Sequence, residues 1–277
     1  LYRIDYFLKL VSMQKLKPLK RFGQNYLLDQ NILNKIVREI DPKPEDQIVE
    51  IGPGQGALTA KLFEKVTSLT AVEIDKRVAD DLSEKFPGLG LIVDDFLNLN
   101  LSQLVGLNRD KRLRIVGNIP YNLTSSILFQ LIKYNDTVQD SVLMVQHEVA
   151  KRMSSSKGTK DYGILSVILK YFAEVKYCFK VSPNVFYPKP KVDSAVIHIQ
   201  FKELKISDKE KQSFINIVKA SFGNRRKTLK NSLSNSIFKE LNFADSGIDL
   251  SLRAEQLDLD DFLRLAEFAR EYKNNLA

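Results

Sequence analysis

The sequence predicts an α/β fold in which an open sheet is followed by a small domain made only of helices. Short apolar runs alternate with amphipathic helical patterns as far as residue 203, which is typical of such a sheet. The composition changes between Glu203 and Ser207, and every later pattern is helical. With 277 residues, of which 44% are hydrophobic, the chain is long enough for one larger and one smaller domain.

Charge and composition limit the classes of function. The chain has 42 Lys and Arg against 34 Asp and Glu, a net charge of +8, which favours a polyanionic partner. The single cysteine, Cys178, excludes an internal disulfide and fits a cytoplasmic protein. The two histidines, His147 and His198, cannot form a His/Cys metal cluster, so we expect no metal. No apolar run approaches the roughly 20 residues of a membrane span, and we expect a monomer that does not enter membranes.

A glycine-rich turn follows the first predicted strand of the sheet. Gln47 to Ile51 is a short apolar run, residues 52–56 read Gly-Pro-Gly-Gln-Gly, and a helical pattern comes next. Glycines such as Gly52 and Gly54 let a backbone approach a ligand closely. The pattern is neither the GxGxxG of dinucleotide folds nor a phosphate-binding P-loop. Glu50 before the turn disfavours a pyrophosphate and suits the ammonium and sulfonium of S-adenosylmethionine.

The next two predicted strands end in acidic residues. Ser68 to Ile74 ends in Glu73, Ile74 and Asp75, about 20 residues beyond the glycines, where a carboxylate can accept both ribose hydroxyls. Gly90 to Val93 is followed by Asp94, Asp95 and Phe96. Each acid alone could be a helix cap. Three successive strands that deliver acids to one edge instead indicate a nucleotide-like ligand, because open α/β sheets bind ligands there.

The fourth predicted strand, Leu113 to Gly117, leads into Asn118-Ile119-Pro120-Tyr121. The Asn oxygen and a nearby backbone carbonyl can accept the two N–H hydrogens of an adenine amino group, and the Tyr ring can stack on the base. Pro120 stiffens the turn. The alternative is an Asx turn followed by a core tyrosine. The position at the same sheet edge as the acids favours an adenine site.

The rest of the chain continues the alternation and then becomes helical. We predict helices and strands in the following order: a helix over Ser125 to Tyr134, a strand over Ser141 to Val145, a helix from His147, a helix over Tyr162 to Phe172, strands over Glu174 to Val181 and Ser194 to Phe201, and helices over Asp208 to Phe222, Thr228 to Leu241 and Asp258 to Tyr272. The loop at residues 182–191 presents Phe186 as a platform on which a base could stack, or is a rigid connection with Phe186 packed inward.

Clusters of basic residues are candidate RNA contacts. The densest cluster lies at a predicted helix junction, and two smaller ones flank aromatic residues. The candidates are Lys20, Arg21, Lys189, Lys191, Arg225, Arg226, Lys227 and Lys230.

Five motifs together carry a family resemblance. They are residues 20–27 (Lys-Arg-Phe-Gly-Gln-Asn-Tyr-Leu), 50–56 (Glu-Ile-Gly-Pro-Gly-Gln-Gly), 73–75 (Glu-Ile-Asp), 118–121 (Asn-Ile-Pro-Tyr) and 186–194 (Phe-Tyr-Pro-Lys-Pro-Lys-Val-Asp-Ser). In this order they resemble the ribosomal RNA adenine dimethyltransferases of the small-subunit (KsgA/Dim) type. The resemblance extends from about Gln14 to the C-terminal helices.

The resemblance implies a Rossmann-like class I methyltransferase domain over residues 13–203 and a helical, RNA-contacting domain over 204–277. It implies dimethylation of N6 on two adjacent adenines near the 3′ end of small-subunit rRNA, with the assembling small subunit as partner. S-adenosylmethionine is the implied cofactor. Its implied contacts are Asn25, Leu27, Gly52, Glu73, Asp95 and Asn118, to which the strand order adds Gly54, Ile74 and Phe96.

Two other functions stay open on the sequence. Related enzymes methylate large-subunit rRNA, but residues 160–167 and 222–233 resemble the small-subunit type. A non-catalytic assembly factor could keep the fold, although the complete set of cofactor acids argues against that role alone. His147 stands where the family usually has Lys, and residues 1–12 have no counterpart in it.

Overall fold

A computed structural model describes residues 17–19, 23–105 and 111–275 of the chain. The chain forms two compact units. The first contains the described residues as far as His147 together with Lys176–Phe201. The second contains Glu148–Val175 and the residues from Lys202 onward. This division differs from the predicted domains, since residues 148–175 group with the C-terminal helices.

Nine strands are present in the described part of the chain. They are β1 Tyr26–Leu27, β2 Gln47–Ile51, β3 Ser68–Val72, β4 Gly90–Ile92, β5 Leu113–Asn118, β6 Val138–Gln146, β7 Ala173–Val181, β8 Phe186–Tyr187 and β9 Ser194–Phe201. Seven of them form one sheet in the order β4-β3-β2-β5-β6-β9-β7, and β1 pairs with β8. Strands β4, β3, β2, β5 and β6 run parallel, and β9 is antiparallel to β6. The carboxyl ends of the parallel strands therefore meet at one edge.

The helices of the described residues connect these strands and form the second unit. They are α1 Gln30–Ile40, α2 Thr59–Phe63, α3 Lys76–Lys85, α4 Thr124–Lys133, α5 His147–Met153, α6 Ile164–Phe172, α7 Asp208–Ser221, α8 Leu229–Ser234 and α9 Leu259–Asn275. Short 3-10 helices cover Phe96–Asn98, Leu101–Gln103, Tyr121–Leu123, Pro183–Val185, Ala244–Ser246 and Ala254–Gln256.

Local sequence explains the main elements of the first unit. Every residue of β2 is buried, as expected for a central parallel strand covered on both faces. The helix α1 begins after Asp29, whose Oδ1 accepts hydrogen bonds from the backbone N–H groups of Asn31 and Ile32 at 2.8 and 3.0 Å. Its apolar face packs on the sheet through Leu33, Ile36 and Ile40.

A buried ionic network holds the amino-terminal ends of the central strands. The guanidinium of Arg114 in β5 donates to both carboxylate oxygens of Asp140 in β6, at 2.8 and 2.7 Å, and to Asp46 at 2.7 Å. Its Nη2 also donates to the carbonyl of Ile40 at 2.6 Å. His198 in β9 contacts Asp140 at 2.7 Å. The network satisfies a buried arginine at the edge of the sheet away from the glycine turn.

Aromatic packing forms the core of the second unit. The rings of Phe172 and Phe214, in α6 and α7, lie 6.1 Å apart, and Phe222 stacks on Phe262 of α9 at 5.7 Å. This packing explains why the segment that contains α6 groups with the C-terminal helices.

One predicted helix is wrong in extent. The pattern predicts a helix over Thr228 to Leu241, but α8 ends at Ser234 and turns follow. The Nδ2 of Asn235 donates to the carbonyl of Asn231 at 2.7 Å, and the Oγ of Ser236 accepts from the backbone N–H of Phe238 at 3.1 Å. These side chains compete with the helical backbone hydrogen bonds.

Candidate active site

The glycine turn after β2 is shaped by its backbone conformation. Gly52 and Gly54 have φ of 61° and 54°, the left-handed region that favours glycine. A methyl group built at Gly54 would lie 2.8 Å from Cδ1 of Tyr26, closer than van der Waals contact allows. The turn therefore needs glycine both for its conformation and for the approach of the Tyr26 ring.

Two carboxylates beside this turn are almost completely buried. Burial raises the pKa of Glu50 to about 7, although the hydroxyl of Thr59 donates to it at 2.7 Å. Burial also raises the pKa of Glu73, whose Oε1 accepts from the backbone N–H of Asp75 at 2.9 Å. Among the described residues, neither Glu50 nor Glu73 forms a salt bridge. Such carboxylates fit a cationic ligand, because a cation compensates the penalty of burying their charge.

The remaining acids at this edge have different surroundings. The carboxylate of Asp75 is paired with the guanidinium of Arg77 at 2.7 Å, which holds its pKa below the usual range, and it caps α3. Asp95 accepts from the backbone N–H of Leu97 at 2.9 Å and lines the cavity described below. Ile74 lines the same cavity and is 48% exposed, which suits contact with a flat apolar group. Of these residues, Asp75 has a structural role, because its carboxylate is already paired with Arg77 and caps α3.

A cavity of about 1150 Å³ lies at the carboxyl edge of the parallel strands. It is lined by all the residues that the sequence predicts as cofactor contacts: Asn25, Leu27, Gly52, Gly54, Glu73, Ile74, Asp95, Phe96 and Asn118. Ile119, Pro120 and Tyr121 also line it. Buried carboxylates, a close glycine turn and apolar walls in one cavity fit a molecule with a cationic end and a nucleoside, such as S-adenosylmethionine.

Asn118 is held in one orientation by the N-terminal segment. Its Nδ2 donates to the backbone carbonyl of Asn25 at 2.7 Å. A carbonyl only accepts hydrogen bonds, so the amino end of the amide must face Asn25. The side-chain oxygen of Asn118 is thereby left as an acceptor on the cavity side of the turn. Ile119 follows it with 1% exposure, so its side chain is anchored in the core.

The ring of Tyr121 is fixed by a hydrogen bond to β9. Its hydroxyl lies 2.6 Å from Oγ of Ser194, which is fully buried. Burial raises the pKa of the Tyr121 phenol, so it is neutral in the physiological range. The aromatic face that the sequence predicts for a base is therefore present at the cavity wall.

Phe186 does not lie where the stacking prediction requires. Its ring is only 5% exposed and belongs to the hydrophobic core that contains Leu27, its partner across the β1–β8 pair. It is absent from the residues that line the cavity within the described chain. The inward-packed alternative applies, because successive residues of a strand point to opposite faces and the neighbouring Tyr187 is 59% exposed.

The basic candidates separate into different environments. Lys189, Lys191, Arg226, Lys227 and Lys230 are exposed. Arg225 instead donates to two backbone carbonyls of its own unit, those of Lys160 and Tyr162. Lys20 and Arg21 lie outside the described residues. The described chain holds no group of three or more His, Cys, Asp or Glu that could bind a metal, and none of its helices is long and apolar enough to cross a bilayer.

Comparison with known proteins decides the family. Residues 15–271 match the model of the ribosomal RNA adenine dimethylase family. The chain belongs to this family.

Similar proteins and solved structures match almost the whole length of the chain. The chain is 46% identical over 246 residues to the ribosomal RNA small subunit methyltransferase A of Chlorobium phaeobacteroides, and the match covers 89% of this chain and 91% of the relative. The Francisella tularensis protein of the same name is 43% identical over 259 residues, or 92% and 98% of the two chains. A dimethyladenosine transferase from Plasmodium falciparum superposes with a TM-score of 0.72 at 26% identity, covering 89% and 98%. The 23S rRNA methyltransferase ErmE superposes with a TM-score of 0.62 at 26% sequence identity, covering 88% of this chain and 99% of ErmE.

These findings confirm three predictions about this adenine dimethylase. Its fold is the Rossmann-like class I methyltransferase sheet followed by a helical segment. It is an rRNA methyltransferase, and its cofactor is S-adenosylmethionine.

Sequence reasoning missed two residues of the site. Gln24 accepts hydrogen bonds at Oε1 from Leu19 N–H and the Tyr26 hydroxyl, at 2.7 and 2.9 Å, and its Nε2 donates weakly to Asp75 at 3.4 Å. Ser194 positions Tyr121. Both residues lie inside the motifs that carry the family resemblance, which was the available signal, but Asp75 and Tyr121, the partners that tie them to the site, are 51 and 73 residues away.

Proposed function

We propose that this adenine dimethylase converts two adjacent adenines near the 3′ end of small-subunit rRNA to N6,N6-dimethyladenine during ribosome biogenesis. The observation that carries the proposal is the orientation of Asn118, whose amino end is bound by the Asn25 carbonyl, so that its oxygen can accept from an adenine amino group. The relatives at 41–46% identity are named for the small subunit, which supports this subunit over the large one.

The target amine needs two acceptors. An aryl amine delocalises its nitrogen lone pair into the ring and is a poor nucleophile. The side-chain oxygen of Asn118 and the backbone carbonyl of Ile119 accept its two N–H hydrogens and turn the lone pair away from the ring. Pro120 restricts the backbone between these acceptors and the ring of Tyr121. The same arrangement accepts a monomethylated amine for the second transfer, with one N–H remaining.

Tyr121 is the proposed stacking face for the flipped adenine. The hydrogen bond between its hydroxyl and Ser194 fixes the position of the outer end of the ring. The role predicted for Phe186, to cover the other face of the base, requires its side chain to leave the core in which it packs. Exposed Tyr187 is the nearest aromatic alternative along the chain.

Residues of the glycine turn and strand ends are proposed to hold the cofactor. Glu73 accepts from the ribose hydroxyls, Asp95 contacts the adenine amino group, and Ile74 and Phe96 flank the adenine ring. Gly52 and Gly54 let the backbone approach the amino-acid end, and Asn25 and Leu27 close the N-terminal side. When bound, S-adenosylmethionine supplies a methyl carbon made electrophilic by its sulfonium. No strong base is needed before attack, since the N6 proton is acidic enough to leave to solvent afterwards.

The partner is proposed to be small-subunit rRNA in an assembling subunit, bound by a monomer in the cytoplasm. Support comes from the net charge of +8 and the exposed cations Lys189, Lys191, Arg226, Lys227 and Lys230. Lys20 and Arg21 belong to the same proposal on sequence alone. The helical residues 204–277 are the proposed RNA-contacting domain.

Asn118→Ala tests the proposed chemistry. We expect loss of methyl transfer to small-subunit particles with cofactor affinity nearly unchanged, measured with labelled S-adenosylmethionine and by calorimetry. Asn122→Ala is the matched control, since Asn122 is an exposed asparagine in the same turn. Full turnover by Asn118→Ala would exclude the mechanism. Label in large-subunit rRNA alone would favour the large-subunit enzyme, and no label in either would favour a binding factor.

A further inference from the structure

Arg225 is the most engaged residue of the predicted RNA-binding cluster. Its Nη2 donates to the carbonyls of Lys160 and Tyr162, both at 3.0 Å. The same nitrogen lies 3.6 Å from Oε2 of Glu255. The side chain is half exposed, yet these three acceptors already surround its terminal nitrogen. Nη2 is thus directed at the backbone of its own unit, as in an arginine with a structural role.

The segment that Arg225 contacts, residues 160–163, is here termed the Lys160 loop. Its opposite side is fixed by Tyr162, which is 2% exposed. The Tyr162 hydroxyl donates to the carbonyl of Leu257 at 3.0 Å, and its ring contacts the edge of Phe222 at 6.2 Å. The loop is therefore held by its backbone and by one buried ring, which leaves the Lys160 and Asp161 side chains exposed.

The charges of this region divide into paired and unpaired groups. Glu255 neutralises Arg225, whereas Lys160, Arg226 and Lys227 are exposed and have no salt-bridge partner among the described residues. Two hydrogen bonds from Arg225 bring the Lys160 backbone next to the turn that carries Arg226 and Lys227. These three cations therefore lie in the same region of one unit, together with the acids Asp161, Glu255 and Asp258.

We propose that the Lys160 loop is part of the RNA-binding surface, with Lys160 contacting a phosphate, and that Arg225 is a positioning residue that holds this loop beside Arg226 and Lys227. The inference rests on the proposed rRNA substrate and deepens it. The partner is an RNA backbone, because unpaired cations on a surface without a stacking aromatic recognise phosphates and not bases.

The loop itself is tested by two substitutions of opposite sign. Lys160→Ala should weaken binding of a small-subunit rRNA fragment and reduce the slope of log K against log salt by about 1, the loss of one phosphate contact. Asp161→Asn should strengthen binding, because it removes a repulsive charge. Binding equal to that of the wild type in both variants would overturn the assignment of the loop.

The role of Arg225 is tested with a variant that keeps its charge. Both bonds come from Nη2, and the lysine ammonium lies one bond closer to the backbone than that nitrogen, so lysine should not reach both carbonyls. Arg225→Lys should therefore lose as much RNA affinity as Arg225→Ala and should also reduce the salt slope by about 1. Arg226→Lys is the control and should bind nearly as the wild type does. The double variant Arg225→Lys/Lys160→Ala should be no weaker than the weaker single variant, because both remove the same contact.

The possible failures of this proposal give different results. Wild-type-like binding by Arg225→Lys with weak binding by Arg225→Ala would make Arg225 a direct phosphate contact and overturn its positioning role. Additive losses in the double variant would do the same. Unchanged melting temperature and cofactor affinity show that each variant is folded. If the wild-type protein does not methylate small-subunit rRNA at all, the proposed function fails, whereas the inference alone fails if it methylates and the variants bind normally.

Discussion

Glu50 is expected to make cofactor binding depend on pH. Its carboxyl group is buried with a pKa of about 7, and its only hydrogen-bond donor among the described side chains is the hydroxyl of Thr59. The neutral acid predominates below pH 7 and cannot attract the ammonium group of S-adenosylmethionine. Affinity should therefore rise as pH increases through 7, because the ionised form is the one that binds a cation.

The magnitude follows from the ionised fraction. With a pKa of about 7, Glu50 is about 9% ionised at pH 6 and about 91% at pH 8, so the apparent Kd should fall about tenfold between these values. The stability of the ligand-free protein should change with pH in the opposite direction to its cofactor affinity. The folded state keeps a proton that the unfolded chain loses above pH 4.5, so the ligand-free protein loses up to about 3 kcal/mol of unfolding free energy between pH 4.5 and 7.

Glu50→Gln separates these effects, since glutamine keeps an acceptor for Thr59 and does not titrate. Isothermal titration calorimetry of S-adenosylmethionine between pH 6 and 8 should show the tenfold change in the wild type and not in the variant. Titration of the ligand's own amine contributes equally to both proteins and cancels in the comparison. Thermal unfolding at pH 8 should show a more stable ligand-free variant. The same pH dependence in both proteins would refute the reasoning.

Three further predictions concern other parts of the molecule. Gly54→Ala places a methyl group 2.8 Å from the Tyr26 ring at a φ of 54°, which strains the turn by about 1–2 kcal/mol. Cofactor affinity measured by calorimetry should therefore fall by about five- to thirtyfold. Asp140→Asn removes the main charge partner of buried Arg114 and should lower the free energy of unfolding, measured with urea, by about 3–5 kcal/mol. The contact with Arg114 lowers the pKa of Asp140 in the folded protein. The stability that this carboxylate contributes is therefore present above its unfolded pKa and is lost as the pH falls through its folded pKa. Arg226→Ala should reduce the salt slope of RNA binding by about 1 without changing cofactor affinity.

The sequence was sufficient to predict that several candidate cofactor residues meet at one edge of the sheet. Glu73 and Asp95 follow strands and Asn118 ends one, and parallel strands bring their carboxyl ends to one edge, so strand order alone places these residues together. The structure confirms that they line one cavity. Boundaries were predicted less well, because side chains such as Asn235 and Ser236 ended a helix that periodicity extended.

Side-chain direction and long-range pairing could not be predicted. Phe186 and Tyr187 are adjacent aromatics, and only their register with β1 decides which one faces the core. Arg225 and Arg226 are equivalent in composition, yet one binds two carbonyls 63 and 65 residues away and the other is exposed. Charge density indicated the surface but could not distinguish a residue that contacts RNA from one that positions a loop.

The N-terminal segment links the two halves of the active site. The Asn25 carbonyl accepts a hydrogen bond from the amide of Asn118, and the next residue, Tyr26, packs against Gly54 of the glycine turn. Gln24 accepts a hydrogen bond from the Tyr26 hydroxyl and donates one to Asp75, which lies two residues after Glu73. One short segment thus contacts both the turn proposed to hold the cofactor and the side chain proposed to hold the target amine. A shift of this segment must therefore change both together.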